Sequence, residues 1–239
     1  MEILSSFFNI LIYKPLLNLL VLLYHYLPGH DFGLAIIIIT VLVRVALYPL
    51  NLQAIKAQKA LQEIQPKIQE IQKKYKHDKE KLTKATLELY QKGKVNPLSG
   101  CLPLLIQLPV LIALFWVFQK GLRPAEMAKL YSFVPNPGQI APFFLGILDL
   151  SKPYIPLAIL SGVLQFFQTK MMTPKTPKTG GKSDMSTMMQ SQMTILFPFF
   201  TVILLLRLPS AIALYWLITS LFSIFQQYLI LKNQKYAAG

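Results

Sequence analysis

The sequence predicts an all-α, polytopic membrane protein with five core transmembrane helices, an N-terminal interfacial helix and a cytoplasmic helical hairpin. Three observations carry this prediction. The 239 residues are 54% hydrophobic and only 14% charged, with a mean hydropathy of +0.46, whereas soluble domains average about 25% charged residues. Several apolar runs reach the roughly 20 residues that a helix needs to cross hydrocarbon. The 24 basic residues, against 10 acidic ones, give a net charge of +14, and eleven of them crowd into one polar block. The apolar content excludes a disordered chain, and the single cysteine, Cys101, excludes a disulfide scaffold. An excess of positive charge is compatible with nucleic acid, anionic lipid, an acidic partner or positive-inside topology alone.

Residues 1–31 contain an apolar stretch from Phe7 to Leu27 interrupted by Lys14, Pro15, Asn18 and His25 and stopped by Pro28-Gly29-His30-Asp31. A spanning helix here would need a tight turn into the next span, so an amphipathic helix in the interface, with Tyr24 and Tyr26 at headgroup level, is the favoured reading. No positive n-region or small-residue cleavage site marks a signal peptide. Residues 32–52 form the first span, with Arg44 placed well inside it. Residues 53–95 are different in kind: eleven lysines face five acids, and Leu61, Ile64, Ile68, Ile71 and Tyr75 repeat at 3-4-3-4 spacing. That spacing makes a single helical seam, against which Leu82, Ala85 and Leu89 of a second arm can pack, with Pro66 kinking or interrupting the first arm. The second span covers residues 96–119. A Pro-rich extracytoplasmic loop, 120–153, follows, whose apolar patch from Ala141 to Leu148 is expected to rest on the membrane surface. Residues 154–172 form the third span, 173–186 a Gly/Pro-rich cytoplasmic loop, 187–206 the fourth span, 207–231 the fifth and 232–239 a short tail.

Basic residues orient this arrangement. The hairpin, the 170–186 region (Lys170, Lys175, Lys178, Lys182) and the tail (Lys232, Lys235) carry seventeen, and the opposite side carries six. The positive-inside bias therefore places the hairpin and C-terminus in the cytoplasm and the N-terminus outside.

Arg44 is the one charge assigned to the interior of a span. Insertion of such an arginine costs about 2.5 to 3.5 kcal/mol on translocon scales, so it either snorkels toward the interface near Tyr48-Pro49 or lines a polar cavity. Thr40, Gln107, Gln165, Gln168, Thr219 and Ser220 are polar groups able to share a cavity, and each is equally readable as an interhelical hydrogen bond. Gln226 and Gln227 read as interface residues, and Trp116, Trp216 and Tyr215 as belt or packing residues. No Asp or Glu lies inside a span, which weakens a proton-coupled transporter. No nucleophile with its base, P-loop, HExxH or GxGxxG occurs, so no catalytic residue, metal or other cofactor is expected.

Five segments, TVLVRVALYPL (40–50), QPKIQ (65–69), KVNPLSGCLPLLIQLPV (94–110), FFQTKMM (166–172) and PSAIALYWLITSLFSIFQQYLI (209–230), resemble the YidC/Oxa/Alb membrane protein insertases. The resemblance covers all five spans in order and implies a bacterial inner-membrane protein. It also implies a hydrophilic groove open to the cytoplasm and to lipid, an interfacial helix before the first span and a mobile cytoplasmic hairpin. Arg44 matches the groove arginine, and Gln168 and Trp216 match the polar and aromatic positions beside it. The third and fifth spans resemble the surface along which a substrate helix moves into lipid. Three features depart from some relatives: no large extracytoplasmic domain, no lipoprotein-type cysteine near the start, and a brief basic tail.

The expected function is insertion of hydrophobic segments with short extracytoplasmic tails. The groove would be Arg44, Gln107, Gln165, Gln168, Trp216 and Thr40; substrate capture would fall to Lys56, Lys59, Lys67, Lys73, Lys74 and Lys76. Expected partners are nascent membrane proteins and membrane lipids, with the ribosome and the Sec translocon as further candidates and no dedicated nucleic-acid target. The rival readings are a small-anion channel or transporter using Arg44, and a chaperone that holds membrane proteins without inserting them.

Overall fold

The computed structural model describes residues 6–76, 78–93, 95–96, 102–120, 123–173 and 185–237. Cys101 and most of the NPLSGC motif, His77, Lys94, Lys175, Lys178 and Lys182 lie outside the described residues. Helix dominates. A π-helical turn, Asn9–Tyr13, leads into α1 (Lys14–Tyr26), followed by α2 (Phe32–Ala46), α3 (Tyr48–Lys74), α4 (Lys79–Lys92) and α5 (Leu102–Lys120). The short α6 (Pro124–Met127) and a two-stranded antiparallel hairpin, β1 (Phe143–Phe144) with β2 (Leu148–Asp149), precede α7 (Ile155–Met172), α8 (Met185–Leu205) and α9 (Ser210–Ala237).

Local chemistry sets the boundaries. Asp31 caps α2 by accepting a 2.7 Å bond from the Leu34 amide, and Asp78 caps α4 through the Lys81 amide at 3.0 Å. Gly29, at φ +71°, lets the chain turn between α1 and α2. The expected span over 32–52 is not one straight helix: it breaks at Leu47, and α2 and α3 meet at 65°. Pro49 accounts for the break, because it has no N–H for the Val45 carbonyl and its ring crowds that carbonyl. Pro66, by contrast, sits within α3 without interrupting it.

By length and composition, Ser6–Tyr26 and Ser210–Ile230 are each apolar enough to cross a membrane, as is the bent pair α2 plus α3 if it forms one span; Leu105–Lys120 and Thr194–Leu205 are shorter apolar helices among the described residues. This is a multi-pass helical membrane protein. Its core joins Leu17, Leu20 and Val21 of α1, Phe32, Ile36 and Ile39 of α2, Leu114 and Val117 of α5, and Ile212 and Tyr215 of α9. Small residues bring α7 against its neighbours. Ser161 Oγ lies 2.7 Å from the Leu157 carbonyl and 3.0 Å from the Ala213 carbonyl on α9, sharing its proton between them. At Gly162 a Cβ would come within 2.2 Å of Val202 on α8. The outward faces of α7 and α8 remain apolar, with Ile159, Val163, Phe167, Leu196, Phe199 and Phe200 exposed.

The π-helical turn and α1 are together fastened to the 123–150 loop. Tyr13 donates to Glu126 at 2.8 Å, the Tyr131 amide to Asn18 at 2.6 Å, and the Ala141 amide to the Tyr24 hydroxyl at 3.1 Å. The far polar block is thinly packed. In α3 and α4 only Ile68 of the expected seam is fully buried, with Leu61, Ile64, Ile71, Leu82 and Leu89 half-buried, and Gly93 closes onto Ile64.

Candidate functional site: a buried arginine among polar side chains

Arg44 is 9% exposed and sits in the last turn of α2, not several residues inside a longer helix as the sequence suggested. The Pro49 break puts it there. A helix C-terminus presents unpaired carbonyls and the negative end of the backbone dipole, which favours a cation by about 0.3 to 1 kcal/mol. The guanidinium donates through Nη2 to Gln107 Oε1 of α5 at 2.9 Å. The Gln107 amide nitrogen in turn donates to the Tyr215 hydroxyl of α9. One amide thus spans α2, α5 and α9, with both its ends used. Among the described residues, no carboxylate forms an ion pair with Arg44. Its partner is neutral, so among the described residues nothing compensates the charge itself.

The other anticipated positions fall into three groups. Thr40, one turn before Arg44 and fully buried, gives its proton to the Ile36 carbonyl at 2.5 Å, inside its own helix rather than across helices. Gln165 on α7 is 5% exposed, and its Oε1 has no partner among the described residues. Gln168 is half-buried one turn further on, and Trp216 is half-buried against the core. Of the capture lysines, Lys56, Lys67, Lys73, Lys74 and Lys76 are exposed; Lys59 is partly covered and lies 3.8 Å from Glu63. Lys74 Nζ stands 5.4 Å above the ring of Tyr75.

Sequence reasoning missed two features. Tyr215, read as a packing residue, is 2% exposed and holds the far end of the Gln107 amide. Gln226 and Gln227, read as interface residues, are buried, and among the described residues Gln226 Nε2 and Gln227 Oε1 have no partner, nor do Asn51 Nδ2 and Ser220 Oγ. The signal was present: Tyr215, Thr219, Ser223 and Gln226 or Gln227 recur at near-fourfold spacing, a polar stripe along one face of α9. Each unsatisfied buried polar group costs about 1 to 3 kcal/mol. Among the described residues, Thr219, Ser220, Gln226 and Gln227 thus place unused polar atoms inside α9's packing, on the helix that also carries Tyr215.

The model of the family described as 60Kd inner membrane protein matches residues 22–237. The membrane protein insertase YidC of Fusobacterium nucleatum is 38% identical over 203 residues, covering 85% of this chain and 87% of that protein. That of Oceanobacillus iheyensis is 38% identical over 208 residues, covering 85% and 76%. That of Geobacter metallireducens is 40% identical over 222 residues, covering 92% of this chain but only 37% of the longer relative. With a family match over nearly the whole chain and relatives of like size well above 30% identity, the chain belongs to the 60Kd inner membrane protein family, that of the YidC membrane protein insertases.

Proposed function

We propose that this chain inserts nascent membrane proteins whose hydrophobic segments carry short extracytoplasmic tails, receiving the tail in a hydrophilic groove and releasing the segment sideways into lipid. The observation that carries the proposal is Arg44, buried, bonded to a neutral amide with no carboxylate partner among the described residues, and linked through that amide to Tyr215 on the polar stripe of α9. An acidic tail crossing hydrocarbon must shed water. Hydrated polar side chains shorten the dry path, and a carboxylate 4 Å from Arg44 gains about 4 kcal/mol at an effective dielectric near 20, before desolvation is subtracted. That is enough to draw the tail in without trapping it. A membrane potential negative inside drives each acidic charge outward by about 2.3 kcal/mol per 100 mV. No covalent step and no cofactor enter this scheme, and the chain is not an enzyme.

Arg44, Gln107, Tyr215, Gln165, Gln168, Trp216 and Thr40 make up the groove in this proposal, and the exposed apolar faces of α7 and α9 are the path into lipid. The five-span topology, with α3 and α4 as a cytoplasmic hairpin, the C-terminus inside and α1 in the outer interface, is part of the same proposal. The placing of α1 draws support from its repeated bonds to the 123–150 loop, which is extracytoplasmic in this topology. Lys56, Lys59, Lys67, Lys73, Lys74 and Lys76 would capture substrate or anionic lipid, and could meet the ribosome or the Sec translocon. The small-anion channel draws no support from the relatives, each of which is named an insertase. In reconstituted vesicles without Sec components, Arg44→Ala should cripple insertion of acidic-tailed substrates and Arg44→Lys should retain more. Normal insertion by Arg44→Ala would sink the charge-attraction mechanism.

A further inference from the structure

We propose that the tip of the β1–β2 hairpin, Leu145-Gly146-Ile147, is a lipid anchor that inserts into the outer headgroup region and fixes the depth of the bundle there. Phe144 and Leu148 turn toward the core, whereas Ile147 is 87% exposed and Leu145 60% exposed. Leu145 and Gly146 both have positive φ, +51° and +68°, and the Ile147 amide closes the turn on the Phe144 carbonyl at 3.1 Å. Such a turn strongly favours Asn-Gly, because a branched apolar side chain is strained at positive φ. This chain holds a leucine in the strained position and points it outward. In water that choice costs twice, once in backbone strain and once in exposed apolar surface.

The tip is also held rigidly at a defined level. Asp31, the N-cap of α2, uses its second carboxylate oxygen to accept from the Leu145 amide. A Cβ on Gly33 would lie 2.2 Å from Phe144, so only glycine admits the hairpin this close to the start of α2. On the other side, the Ser210 amide donates to the Lys152 carbonyl and the Ala211 amide to the Leu150 carbonyl, at 2.9 and 3.0 Å, tying the hairpin to the start of α9. The tip therefore sits level with the ends of two helices, where headgroups begin if those helices span. Five residues separate β2 from α7, where Ile155, Ile159 and Val163 are exposed as well. An apolar tip tied to the starts of two helices and followed by a helix with an exposed apolar face selects lipid over a second copy of the chain.

The test uses the full chain with Ile147→Cys in a Cys101→Ala background, labelled with an environment-sensitive fluorophore and placed in phosphatidylethanolamine and phosphatidylglycerol vesicles. The expected result is blue-shifted emission, strong quenching by lipids spin-labelled near the headgroup, and little quenching by aqueous iodide. A label at Gln139→Cys, an exposed polar position on the same loop, should behave in the opposite way. Equal iodide access at both positions, with no lipid quenching at Ile147, would overturn the anchor. So would shielding that disappears when the protein is diluted in lipid, since a second copy would then be the cover. Leu145→Asn supplies the favoured turn residue and removes the apolar side chain. It should red-shift the Ile147 label and reduce its lipid quenching while helix content is unchanged; undiminished lipid quenching would remove Leu145 from the anchor. If Cys101→Ala does not fold, a benzophenone amino acid at position 147 leaves Cys101 in place. Irradiation should then give lipid adducts, and their absence counts against the anchor.

Discussion

Gln107→Glu is the change that tests the groove chemistry most specifically. Gln107 Oε1 already lies 2.9 Å from Arg44 Nη2, and a glutamate of nearly the same shape would put a carboxylate oxygen in that place. Tyr215, which now accepts from the amide, can rotate its hydroxyl to donate instead, so the local packing need not change. The charges would stand about 4 Å apart, worth about 4 kcal/mol at an effective dielectric near 20. Desolvation removes a share of this. If about 1.4 kcal/mol survives, an incoming carboxylate faces a tenfold handicap in displacing the resident one. Insertion of an acidic-tailed substrate into proteoliposomes, followed by protease protection of the translocated tail, should slow at least about tenfold on that arithmetic. A neutral-tailed substrate should be affected far less. Gln107→Ala frees Arg44 and should leave acidic-tail insertion nearer to normal than Gln107→Glu. If Gln107→Glu inserts acidic tails at the normal rate, pairing with Arg44 is not what draws the tail in.

Other consequences follow from particular contacts. Gly33→Ala must push Phe144 away from α2, and overpacking of this kind costs about 1 to 3 kcal/mol; a lower thermal midpoint in detergent, partly restored by Phe144→Ala, is the expected outcome. Gly162→Ala should separate α7 from Val202 of α8 and lower stability in the same assay, whereas the exposed Val163→Ala should not. Burial alone would raise the Glu126 carboxyl, but hydrogen bonds from Lys129 and Tyr13 and the charges of Lys129 and Lys120 hold it below the usual carboxylate range. A depressed folded-state value means that Glu126 stabilises the loop above the unfolded value, about pH 4.3, and loses that contribution as pH falls through the lower folded value. Glu126→Gln should therefore flatten the acid limb of the stability profile. Neutralising Lys73, Lys74 and Lys76 should weaken binding to anionic vesicles and flatten its salt dependence, at up to about 1 kcal/mol per lysine near the surface.

The helical, multi-pass character was legible because long apolar runs and a lysine-rich block are composition signals that survive any packing. Arg44 was legible too, since a charge in such a run has few permitted surroundings. Its exact setting was not: the sequence read 32–52 as one helix, although Pro49 already carried the reason for the bend beside Leu47. Gln107 appeared as a candidate, but its role as a bridge depends on three helices meeting, which no local pattern specifies. Tyr215 was set aside because tyrosines in spans serve packing or belts more often than polar sites. Its place on the stripe with Thr219, Ser223 and Gln226 was visible, yet periodicity gives only a shared face, not what that face meets. Asn51, Gln226 and Gln227 were hidden for the same reason, being buried by the packing of α3 and α9 rather than by their own segments.

The central claim is that the translocating tail passes between Arg44 and the polar face of α9. Photocrosslinking from positions 165 and 216 to a substrate arrested during insertion tests it directly, with position 199 on the exposed face of α8 for comparison. Adducts to the acidic tail from 165 and 216, reduced by Arg44→Ala and absent from 199, are expected. Adducts from 199 alone, or a pattern indifferent to Arg44, would contradict a route through the groove.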